Sequence, residues 1–129
     1  MNKFQVSVGN LLLIIFLFLS CTPSIEIKGF SSEDWKSDRN GCLKKREQMA
    51  TNLVTEKEKI LGQTEHSILK LMGRPDKNEL YRRQQKFYVY FLEPGPLCEE
   101  SQQASDSASY LSLRFNATGV VNEVFIYGQ

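Results

Sequence analysis

Apolar positions are densest at the start of the chain. Leu11 to Leu19 is an unbroken apolar run, preceded by Lys3 and closed by Ser20 and Cys21. A charged tip, a short apolar stretch and a small residue before a cut site predict an export signal over residues 1–20. The run is well short of the roughly 20 residues a helix needs to cross a bilayer. Thr22 to Ser32 has a Pro, a Gly and little periodicity, and reads as a linker. Ser31 or Ser32 is placed to cap a short helical turn, Glu33 to Asp38, which Asn40-Gly41 then breaks.

From Cys42 to Lys59 the apolar positions Cys42, Leu43, Met49, Ala50, Leu53 and Val54 recur at helical spacing. The remaining face, Lys44, Lys45, Arg46, Glu47, Glu56, Lys57 and Glu58, mixes both signs and reads as solvated. Gly62 ends that helix, Thr64 opens a second one over Glu65 to Met72, and Gly73-Arg74-Pro75 stops it. After Asn78 the period changes to two. Glu79 to Arg83 predicts a short strand and Gln84-Gln85 a turn. Lys86 to Glu93 is the strongest strand, stopped by Pro94-Gly95-Pro96. A polar loop, Leu97 to Ala108, precedes two further strands, Ser109 to Asn116 and Val120 to Tyr127, joined at Ala117-Thr118-Gly119. The expected fold is α+β: two helices, then an antiparallel meander of three to four strands, in two layers.

Composition narrows the picture. The chain has 129 residues, with 16 Lys and Arg against 15 Asp and Glu. One small domain fits behind the signal, and a net charge of +1 makes no electrostatic case for nucleic acid. Apart from Cys21, the cysteines are Cys42 and Cys98. An even pair in an exported protein implies a disulfide, closing a loop of about 55 residues and contributing roughly 4 kcal/mol. Free thiols or a metal pair are the alternatives, and a single His, His66, makes a poor zinc site.

The ending Phe18-Leu19-Ser20-Cys21 resembles the lipobox of bacterial lipoproteins, with Phe18 where Leu is usual. The resemblance implies that Cys21 is diacylated, that the signal is cut before it, and that residues 21–32 form a lipidated tether. Two or three acyl chains make a stable anchor, at about 0.8 kcal/mol per buried CH₂. An ordinary secretory signal ending in Cys is the alternative. Thr22, rather than Asp, after Cys21 resembles the enterobacterial pattern for the outer membrane, which implies anchoring there, facing the periplasm.

Ile60 to Tyr127 resembles the SmpA/OmlA (BamE-like) family of small outer-membrane lipoproteins. The matching pieces are Gly62 and Thr64 at a helix start, Leu71-Met72-Gly73-Arg74-Pro75, the aromatic strand KFYVYFLEPG, and Phe115, Asn116, Gly119 and Val121 at the last hairpin. The resemblance implies a non-catalytic α+β domain over 33–129, with Phe30 to Lys59 as an N-terminal extension. It also implies a role in outer-membrane assembly or integrity through contact with another envelope protein. The same fold resembles the repeat of secreted β-lactamase inhibitors, which keeps open an inhibitor-like or ligand-sensing binding module.

No catalytic constellation stands out. His66 lacks a paired nucleophile, Glu99-Glu100 sit in a loop, and neither a nucleophile elbow nor a phosphate-binding Gly loop is present. Neither an enzyme nor a cofactor is expected. Surface residues remain. If Leu111, Leu113 and Phe115 share the core with Phe87, Val89 and Phe91, the uncovered sheet face carries Tyr88, Tyr90, Tyr110 and Arg114, residue types enriched at protein contacts. Trp35 is either a further contact residue or a staple packing the N-terminal segment onto the domain.

Overall fold

The computed structural model describes residues 24–98 and 107–128. The apolar run, Cys21 with Thr22 and Pro23, and most of the loop expected over 97–108 lie outside the described residues. Three helices come first: α1 (Ser32–Ser37), α2 (Lys45–Thr55) and α3 (Glu65–Met72). Four strands follow: β1 (Lys77–Tyr81), β2 (Gln85–Phe91), β3 (Tyr110–Phe115) and β4 (Val121–Tyr127). They form one antiparallel sheet in chain order, with the helices packed on one side, as the hydrophobic pattern predicts.

Local chemistry sets the boundaries. Ser31 accepts from Asp34 N at 3.2 Å at the start of α1, and Thr64 accepts from Ser67 N at 3.2 Å at the start of α3. Gly73, at φ 73, closes α3. The expected long helix over 42–59 is shorter. Gly41 and Lys44 take left-handed backbone, and a separate 3₁₀ turn, Lys57–Lys59, follows α2. The β1–β2 turn falls at Arg82–Gln84, with Arg83 and Gln84 both at positive φ, a residue earlier than expected. Asn116 holds the last hairpin by accepting from Thr118 N and Val120 N, both at 3.0 Å.

The core lies between the helices and one sheet face. Trp35, Leu53, Ile60, Ile68 and Met72 meet Tyr90, Leu111, Leu113 and Phe115, all almost fully buried. Residues 24–31, expected to belong to a tether, are part of the domain: Ile27 is buried and Ile25 and Phe30 pack against the core. Arg46, expected on a solvated face, is fully buried. Its guanidinium lies 5.2 Å from the Trp35 ring and 5.5 Å from the Tyr90 ring and pairs with Asp76 at 2.5 Å. Cys42 and Cys98 are joined by a disulfide, which ties the segment after β2 to the approach to α2.

Candidate interaction face

Register decides which side chains share a face. Val89 is opposite Ser112, Phe91 is opposite Tyr110, and Phe87 is opposite Arg114. In the adjacent pairs, Tyr110 is opposite Tyr127, Ser112 opposite Phe125, and Glu79 opposite Phe87. Phe87, Val89, Phe91, Tyr110, Ser112, Arg114, Phe125 and Tyr127 therefore line the face away from the helices.

This corrects the expected parity of β2. Tyr88 and Tyr90 point to the helix-covered face, and Phe87, Val89 and Phe91 point outward. Burial of two tyrosines is satisfied through their hydroxyls. Tyr88 donates to Glu65 at 2.8 Å and Tyr90 to the Gly73 carbonyl at 2.9 Å. Burial, reinforced by Glu65, pushes the Tyr88 phenol up to about 12. Burial likewise raises Tyr90. Trp35 is fully buried, packed on Phe30 and Tyr90 at ring distances of 5.4 and 5.8 Å, so it staples the N-terminal segment and offers no contact surface. Of the residues singled out as contacts, Tyr110 and Arg114 lie on the outer face.

That face forms an open groove of about 530 Å³. Its frame is aromatic. Tyr81 meets Phe87 edge-on at 6.1 Å, Phe91 meets Tyr110 at 6.3 Å, and Tyr110 stacks on Tyr127 at 5.4 Å. Val89 and Ser112 form a floor that the flanking rings keep from water, at 6% and 2% exposed. Tyr81 and Tyr127 are 64% and 62% exposed, so the rings stand at the rim with polar tips in solvent. Burial raises the Tyr110 phenol, with Tyr127 and Glu79 adding to it.

Charge borders the groove at two corners. Lys77 Nζ lies 5.2 Å over the Phe91 ring, and Arg114 pairs with Glu123. Behind Phe91 comes the segment after β2, where Gly95 sits against the ring so tightly that a Cβ would lie 2.8 Å from it. Gly95 N bonds the Asn40 carbonyl at 2.9 Å, beside the disulfide.

The other polar features serve the fold. Asp76 accepts from Asn40 N, Phe91 N and Arg46, joining the approach to α2, strand β2 and the link after α3. Glu65 accepts from Lys86 at 2.8 Å and from Tyr88, and Lys86 holds its carboxyl below the usual range. His66 is exposed on α3. Among the described residues no cluster of His, Cys, Asp and Glu is arranged to hold a metal, and no helix is long and apolar enough to cross a membrane. What the outer face offers is a broad, shallow aromatic surface bordered by Lys77, Glu79 and the Arg114–Glu123 pair.

Comparison with protein-family models, curated proteins and solved structures finds no match.

Proposed function

We propose that this chain is a lipid-anchored protein of the bacterial envelope, held in the outer membrane through Cys21 and facing the periplasm. Its outer sheet face binds another envelope protein, in outer-membrane assembly or integrity. Kinship with the small SmpA/OmlA-like lipoproteins is part of this proposal. It is supported by the motifs from Gly62 to Val121 and by an element order compatible with them.

The observation that carries the binding role is the face built by Tyr81, Phe87, Phe91, Tyr110 and Tyr127. A sheet in a two-layer domain is free to present a polar outer side to water. This one instead presents stacked rings over a dry floor. Tyrosine is among the residue types that concentrate binding energy at contacts.

The anchor and the contact have separate tests. Cys21→Ala is expected to abolish acyl labelling and leave precursor uncut; normal processing of the variant contradicts the anchor. Full-length acylated protein, tagged at its C-terminus and extracted gently from membranes, is expected to bring an envelope protein with it. Barrel-assembly components in that eluate support the assembly role. A soluble partner captured instead by the acyl-free domain favours a secreted-inhibitor type of module.

A further inference from the structure

The N-terminal segment determines which way the domain faces. Residues 24–31 are docked, not free: Ile27 is 7% exposed, Lys59 Nζ donates to the Glu26 carbonyl at 2.9 Å, and Asn52 donates to the Gly29 carbonyl at 3.2 Å. Ser24 and Ile25 lie in a groove with Ser32, Gln63, His66, Ser67, Lys70 and Leu71. Only Thr22 and Pro23 separate Ser24 from Cys21 in the sequence, and three residues of chain span at most about 11 Å.

Helical geometry fixes the direction of that groove. Ile68 and Met72 of α3 are fully buried toward the sheet. His66 and Lys70 are each two positions from Ile68, about 160° around the helix from it, and both are exposed. The groove beside Ser24 therefore runs along the flank of α3 between half-buried Ser67 and Leu71 and exposed His66 and Lys70, on the helical side of the molecule.

We infer that this side, marked by His66 and Lys70 of α3, rests on the headgroup layer of the bilayer, and that the aromatic sheet face points away from it. The inference depends on acylation of Cys21 as proposed above. With acyl chains in the membrane and at most about 11 Å of chain between Cys21 and Ser24, the short tether holds this side nearer the surface than the sheet face. His66 and Lys70 present polar and cationic groups to lipid phosphates, and Leu69, 37% exposed, adds an apolar contact. The bilayer and the protein partner then occupy opposite faces of one two-layer molecule.

The test uses full-length acylated protein in vesicles of phosphatidylethanolamine and phosphatidylglycerol. Nitroxide labels are placed at His66→Cys or Lys70→Cys, with Glu79→Cys on the outer sheet face for comparison, the native disulfide being left intact. Acylation of each sample is read by mass. Accessibility to a water-soluble relaxing agent is expected to be several-fold lower at positions 66 and 70 than at 79. A flexible Gly/Ser insertion after Pro23 is expected to erase that difference while acylation persists. Equal accessibility at all three positions in acylated protein overturns the orientation and leaves the anchor standing. Absence of an acyl mass overturns the anchor and the orientation with it.

Discussion

Arg46 and Asp76 illustrate how much one buried pair organises. Asp76 receives two backbone N–H groups and the Arg46 guanidinium, and Arg46 in turn donates through Nε to the Trp35 carbonyl at 2.9 Å. Removing one member of a buried pair strands the other. Asp76→Ala is therefore expected to cost about 3–5 kcal/mol in urea unfolding; a cost below about 1 kcal/mol, the size of a surface ion pair, contradicts this role. Arg46 was legible in part. It stands three, four and seven residues before Met49, Ala50 and Leu53, which puts it on their stripe. Its charge argued the other way, because an arginine is seldom buried without a partner and Asp76, thirty residues on, carries no local sign of being one. Tyr88 and Tyr90 misled for a related reason. Aromatic residues alternate with aromatic residues along β2, so period two separates two faces without saying which is covered. The deciding facts, acceptors at Glu65 and Gly73, come from another element.

At the scale of elements, turn and cap chemistry was the most readable part. Thr64 and Gly73 act where side chain and backbone freedom predict, and the last hairpin turns at Ala117-Thr118-Gly119 as expected, held by Asn116. The helix beginning at Lys45 was misread at its start, because left-handed backbone at Lys44 has no glycine to announce it. Two links join these elements and respond to conditions. The Cys42–Cys98 disulfide closes a long loop, and the double variant Cys42→Ala/Cys98→Ala is expected to lose roughly 4 kcal/mol in denaturant unfolding. A loss near zero would mean that bonds such as Gly95 N to the Asn40 carbonyl hold the segment unaided. The Glu65–Lys86 link sets a pH dependence. Glu65 titrates below its ordinary value of 4.5 in the folded protein, so its contribution is present above that pH and is lost as pH falls through the folded value. The Tm gap between the native protein and Glu65→Gln is expected to hold steady at neutral pH and to narrow as pH falls below 4.5. An unchanged gap in acid contradicts the assignment. Tyr88 works in the other direction. Its phenol is raised to about 12, so its contribution is complete below 10 and is lost as alkali ionises it.

The whole molecule is a two-layer plate with unlike sides. Helices and the packed N-terminal segment make one side; a framed aromatic surface makes the other. The α+β order was readable from periodicity, because helices and strands follow one another in blocks. The outer face was not, since its identity depends on sheet register and on what the helices cover. Tyr81 and Tyr127 are exposed at its rim, so the double variant Tyr81→Ser/Tyr127→Ser is expected to stay folded while losing about 1–3 kcal/mol with its two ring pairs. The central claim is that this face binds an envelope protein. It is tested most directly by extracting acylated native protein and the Tyr81→Ser/Tyr127→Ser variant side by side from membranes and identifying what elutes with each. The account predicts an envelope protein that elutes with the native chain and is lost with the folded variant at equal acylation. The same protein recovered equally from both, or none recovered with the native chain, would contradict it.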